Sequence, residues 1–299
     1  MSDKILEKQL IDAVKKGLLP KVEVLLDIGA DVSFWDRDFK NALMYAEDVD
    51  IAKLLIENGA DVNAVNEKSH NTTALAEVKN LDVARLFIEK GADVNIKNFW
   101  KKTPLYRAVE EGNVNKANLL LDNGGDVDDV DGALVSLLMK AVCLNYNEMA
   151  YMLLEKGADV NAKDSYNRRA LSFVSDVDVS KEIIARGALV NYKDVWKNTP
   201  LINAVEGNRI EIVKLFIEKG ANVDAQDYQG RTALMHAVNK HYKEITEILV
   251  KSGADLNIHD DYEKSAILMA DEDMRNVMFT ALKEKQKKEF KPMFRVCEK

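Results

Sequence analysis

The chain repeats one hydrophobic pattern. Two stretches show it most fully, GADVNIKNFWKKTPLYRAVEEGNVNKANLLLDNG from Gly91 and GANVDAQDYQGRTALMHAVNKHYKEITEILVKSG from Gly220. Each holds two short apolar stripes of helical spacing separated by polar turns. Leu105 and Ala108, like Leu201 and Ala204, lie three apart on one face, and the small Ala lets a second helix pack close. Ile212, Val213, Leu215 and Phe216 form the stripe of the second helix. Thr103 and Thr199 stand where a hydroxyl caps the first helix, and Pro104 and Pro200 follow where a missing N–H costs nothing. Gly220 suits the left-handed residue after the second helix. The half-apolar Asn-Val-Asp-Ala after it predicts one arm of a hairpin finger.

The Gly-Ala-Asp-like tetrapeptide recurs at Gly29, Gly59, Gly91, Gly124, Gly157, Gly187, Gly220 and Gly253, at spacings of 30, 32, 33, 33, 30, 33 and 33. The spacing predicts nine helix pairs: 10–28, 43–58, 75–90, 105–123, 138–156, 171–186, 201–219, 234–252 and a divergent pair from 267. Helices of about eight to ten residues are too short to stand alone, so each unit needs its neighbours.

With Thr-Pro-Leu-x-x-Ala opening the first helix and Gly-Ala-Asp-Val-Asn after the second, the chain resembles the ankyrin-repeat family over nearly its whole length. The resemblance implies an all-α ankyrin-repeat solenoid of about nine stacked helix pairs with hairpin fingers. It is read as a single array over 1–299, with an N-terminal cap repeat at 1–28, central repeats at 29–252, and a C-terminal cap repeat with a basic tail at 253–299.

Several positions depart from the family pattern. Tyr106, Ile202 and Met235 replace its helix 1 His, which predicts an apolar or aromatic site there. The hairpin glycine survives only as Gly230, with Phe39, Lys101 and Lys197 in its place elsewhere, so those tips are expected to be stiffer or differently turned. The pairs at 43–58, 75–90 and 171–186 lack three residues near the end of the first helix, nearly one turn. They are either dips in a binding surface or tolerated loop deletions, and the second reading is preferred. Lys4, Glu7 and Lys8 predict a polar outer face for the first helix; Met274, Val277, Met278 and Leu282 predict the buried stripe of the last. Phe290, Met293, Phe294 and Val296 are expected to fold back on the last repeat rather than dock on a partner.

Composition narrows the function. The chain is 47% apolar and 31% charged, with 4 Pro, which fits an ordered globular array. No uncharged run exceeds eight residues, so no membrane span or export signal is expected. Two distant cysteines, Cys143 and Cys297, fit a reducing, cytoplasmic setting, or delivery into a host cell by a route the sequence does not show. The net charge is −8, and residues 281–299 carry a surplus of +4, leaving an acidic body that disfavours nucleic acid.

No enzyme constellation emerges. His70, His236, His241 and His259 match no ligand spacing, and the Asp126–Asp131 stretch fails as a calcium loop because Val127 and Leu138 take its first and twelfth positions. Cys143 has no obvious His partner and is read as a small core or groove residue. No cofactor, metal or catalytic residue is therefore expected.

Recognition remains. Fingertip positions hold Phe99, Trp100, Tyr166, Val195, Trp196, Tyr228 and Tyr262, with Trp35 and Phe39 on the first finger, and basic residues such as Lys101, Lys197 and Arg231 follow. Such side chains carry most interface energy, although they can instead lie across neighbouring fingers and stabilise the row. The resemblance implies that these positions, with Glu110, Glu111, Glu206, Asn239 and Lys240 near the inner helix ends, bind a partner protein. The expectation is a non-catalytic binding module, a monomer when free, with neither nucleic acid nor membrane as partner. An enzyme's regulatory or inhibitory subunit and a microbial effector acting on host proteins are the alternatives.

Overall fold

A computed structural model describes residues 3–66 and 70–290. The chain divides into two compact units, Met1–Ala158 and Asp159–Lys299. Within each, every repeat pairs an inner helix, following the finger, with an antiparallel outer one.

In the first unit the pairs are Asp3–Lys15 with Leu19–Asp27, Ala42–Tyr45 with Val49–Glu57, Ala74–Glu77 with Leu81–Glu89, Pro104–Glu110 with Val114–Asp122, and Leu137–Cys143 with Asn147–Glu155. In the second they are Ala170–Ser172 with Val177–Ala185, Pro200–Glu206 with Ile210–Glu218, Ala233–Asn239 with Lys243–Lys251, and Ala266–Met269 with Glu272–Phe290. The nine expected pairs are present. Eight begin one residue before their expected start; the first starts at Asp3 rather than residue 10, because Ile5 to Ile11 already carries helical periodicity.

Side-chain caps fix where inner helices begin. The hydroxyl of Thr103 accepts from Tyr106 N at 3.1 Å, and Thr199 and Thr232 do the same for Ile202 and Met235. Gly91 and Gly220 end outer helices at φ 87° and 82°, values an L side chain rarely adopts. Each unit's core lies between neighbouring pairs. In the first, Pro104–Glu110 packs on Val114–Asp122, on Ala74–Glu77 and on Leu137–Cys143, burying Leu105, Ala108, Val109, Ala117 and Leu120. In the second, Pro200–Glu206 packs equivalently on Ile210–Glu218, Ala170–Ser172 and Ala233–Asn239.

The missing three residues come out of the inner helix. Full inner helices of the central repeats run seven residues, whereas Ala42–Tyr45, Ala74–Glu77 and Ala170–Ser172 run four, four and three. Two of these tighten to 3₁₀ geometry, the form short helical segments favour.

The expected hairpin fingers contain no extended strand among the described residues; they close through isolated antiparallel bridges such as Gln226 with Thr232. Three expectations need correction. Glu7 is buried, because its position on the first helix turns toward the core rather than outward. On the last helix the buried stripe is Met274, Met278 and Ala281, at i, i+4 and i+7, while Val277 and Leu282 stay half exposed. Cys143 is exposed, since it sits on the last turn of its inner helix beyond the buried Ala141 and Val142. Met293, Phe294, Val296 and the side chain of Phe290 lie outside the described residues.

Candidate partner-binding surface

One side chain organises each finger. The carboxylate oxygen of Asp194 accepts from Trp196 N at 2.9 Å and from Asn198 N at 2.8 Å, while Asp194 N donates to the carbonyl of Asn198. Asp36, Asn98, Asp131, Asp164, Asp227 and Asp260 make the same paired contacts. In the fingers whose corner is described, the residue closing the turn is left-handed whatever its identity: φ is 57° at Phe39, 63° at Lys101, 61° at Leu134, 60° at Lys197 and 74° at Gly230. Loss of the glycine therefore does not change the turn; the Asp or Asn side chain and the ring of hydrogen bonds hold a non-glycine residue in a conformation costing about 1 kcal/mol or more.

Neighbouring tips are joined by backbone. In the first unit Phe99 N donates to His70 O and Gly132 N to Trp100 O, both at 2.9 Å. In the second, Val195 N donates to Tyr166 O, Tyr228 N to Trp196 O and Asp261 N to Gln229 O, at 3.0, 2.8 and 3.0 Å. On this frame the aromatic residues divide into two sets. Trp100 stacks on His70 at a centroid distance of 4.3 Å and Trp196 on Tyr166 at 5.3 Å, so these rings brace adjacent fingers. Phe99, Tyr228 and Tyr262 are 70%, 55% and 64% exposed. Trp35 is half exposed on the first finger, beside Phe34 and above a cleft of about 690 Å³ that Lys8 and Lys15 also line. Lys101 and Lys197 are exposed at the turn itself, whereas Arg231 is half exposed with its Nε 3.7 Å from Asp260.

The inner helix ends carry a charged lattice. Glu110 is held by Lys102 at 2.9 Å and Lys140 at 2.8 Å. Burial pushes its carboxyl up, but the two lysines more than offset this and hold it below the ordinary carboxylate value. Glu111 accepts from Arg107 at 2.8 Å. Arg107 also reaches Glu77, which Lys40 and Thr72 bind as well. Although burial opposes it, these partners keep Glu77 ionised below its usual range. Glu77 was not singled out from sequence because it belongs to a shortened helix. Glu206 faces His236 Nδ1 at 3.5 Å, and that ring's Nε2 lies 2.9 Å from Asp227. Asn239 and Lys240 are exposed.

Tyr106 retains a polar function at the site expected to be apolar or aromatic. Its ring is buried, but its hydroxyl donates to Asp131 of the next finger at 3.1 Å. Ile202 and Met235, also buried, are apolar there as expected. Among the described residues no group of three or more His, Cys, Asp or Glu could hold a metal, and no helix is long and apolar enough to cross a membrane.

Comparison with known proteins agrees with this geometry. The family described as ankyrin repeats (3 copies) matches residues 72–164 and 169–260, and the single ankyrin repeat matches 39–67. No curated protein matches the chain. The solved ankyrin repeat domain of Bcl-3, described as a unique member of the IkappaB protein family, is similar at 26% identity and a TM-score of 0.59, over 70% of this chain and 96% of that one. Repeat units, caps, fingers and sequence matches together make this chain a member of the ankyrin-repeat family.

Proposed function

We propose that the protein is a non-catalytic binding module that holds one partner protein on its fingertips and inner helix ends. The observation that carries this reading is the exposure of Phe99, Tyr228 and Tyr262 on tips whose backbones are already fixed by an Asp or Asn side chain and by the neighbouring finger. Rigid tips lose little conformational entropy on binding, and large aromatic rings supply the area. Lys101, Lys197 and the Lys102–Glu110–Lys140 lattice give the partner surface mixed charge. The similarity to the Bcl-3 domain supports a binding role.

The test compares partner capture by the whole chain with capture by a Phe99→Ala, Tyr228→Ala, Tyr262→Ala variant. These rings are preferable to Trp100 and Trp196, whose stacking ties them to finger stability. Loss of a specific partner, with about 1 kcal/mol or more of affinity per anchoring ring, is expected. Equal retention by both chains would remove the fingertip assignment.

A further inference from the structure

The last carbonyls of a helix have no intrahelical partner, and a shortened inner helix must find donors for them elsewhere. At Ala74–Glu77 that need is met from the following repeat. Lys116, on the outer helix Val114–Asp122, is 1% exposed and places its Nζ 3.1 Å from Ala76 O and 2.6 Å from Val78 O. At Ala170–Ser172 the following repeat again supplies a cation: Arg209 donates from one terminal nitrogen to Val174 O at 2.8 Å and to Ser172 O at 3.4 Å.

The two cations do not occupy equivalent positions. Lys116 lies inside its outer helix and Arg209 caps the start of another. The same repair has therefore been reached from different places in the repeat, which argues against a passive inheritance of the family pattern. At Ala42–Tyr45 the following repeat supplies a neutral donor, Asn80 Nδ2 to Glu47 O at 3.0 Å, while at Ala266–Met269 the donor comes from the same repeat, Arg275 Nε to Ile267 O at 3.3 Å. Full-length inner helices need no such donor, because the following residues reach back to their last carbonyls: Asn145 N bonds Val142 O at 3.1 Å and Tyr146 N bonds Ala141 O at 2.9 Å, as Asn208 N and Arg209 N bond Val205 O and Ala204 O at 3.0 and 2.9 Å.

We infer that Lys116 and Arg209 are latches that make the third and sixth repeats conditional on their C-terminal neighbours. Each shortened repeat is ordered only while the next repeat is folded and holds the cation in place. In a linear array, where stability is set by units and their nearest-neighbour interfaces, this concentrates coupling at two chosen interfaces. Opening of the fourth repeat releases the third, and opening of the seventh releases the sixth.

Hydrogen exchange on the full chain tests this. Lys116→Met keeps most of the aliphatic length but removes the donor, and should speed exchange of amides in 74–78 by about tenfold or more, the size of one lost charge-assisted hydrogen bond. Arg209→Met should do the same in 170–174. The full inner helices 137–143 and 233–239 should keep their protection, as should the control Lys156→Met, which removes an exposed pair with Asp122 at 2.6 Å. Unchanged exchange in the short helices, or an equal rise in every repeat, would overturn the inference. A second measurement needs no variant: along a urea series the wild-type amides of 74–78 and 114–122 should lose protection together. Protection that persists in 74–78 after 114–122 has opened would show that the third repeat does not depend on the fourth, which also overturns it.

Discussion

The rings of Tyr166 and Trp196 stack at a centroid separation of 5.3 Å and an interplanar angle of 19°, joining two fingers whose backbones are already bonded from Val195 N to Tyr166 O. The tryptophan therefore serves the scaffold before it serves any partner. Trp196→Ala should lower stability by about 1 kcal/mol or more, the stacking contribution together with lost apolar area. Tyr262→Ser, at an open tip, should change it by less than about 0.5 kcal/mol. Urea unfolding of both variants measures the difference.

Leu134 holds φ 61° at the turn of its finger and is 50% exposed, so it combines strain with little burial. Leu134→Gly should stabilise the chain by about 1 kcal/mol, the left-handed penalty less the entropy glycine gives the unfolded state. Thermal unfolding reads the change as a rise in Tm; a fall would mean that the leucine side chain contributes more than its exposure indicates.

Asp227 ties Gln229 N, Arg231 N and His236 into one finger base. Asp227→Ala leaves those donors without their acceptor and should cost about 2–4 kcal/mol. The loss should be local, appearing first as faster hydrogen exchange in residues 226–236.

Burial brings Lys116 down from 10.5 to about 8. Between those values the unfolded chain holds a proton that the folded chain releases, so stability rises as pH increases from about 8 toward 10.5, by at most about 3 kcal/mol from this group. The neutral amine still has hydrogens for both carbonyls. Urea midpoints at pH 7.5 and 10 should show that rise in the wild type relative to Lys116→Met, in which this contribution is absent.

Much of the fold was legible because its punctuation is chemical. Thr103–Pro104 and Thr199–Pro200 mark helix starts, and the recurring glycine marks ends, so most pairs were placed to within a residue. The three-residue deletions were legible as spacing. Their repair was not, since Lys116 reads as one more lysine on an amphipathic helix until the preceding repeat is laid over it. The finger tether did leave a signal that was passed over: an Asp or Asn stands seven residues after every tetrapeptide glycine, from Asp36 to Asp260. The division of aromatics between bracing and open rings depends on neighbouring fingers, which a single repeat's sequence does not contain.

The tether at the finger base separates shape from content. Because one carboxylate or amide dictates the path of the loop, and the left-handed corner accepts Phe39, Lys101, Leu134 or Lys197 alike, the intervening residues that do not stack across fingers carry little folding obligation. Such a loop can drift rapidly under selection for a new target while its foundation stays fixed. A library randomised at 99, 101, 195, 197 and 228–229, with Asn98, Trp100, Asp194, Trp196 and Asp227 kept, should yield mostly folded chains of altered specificity.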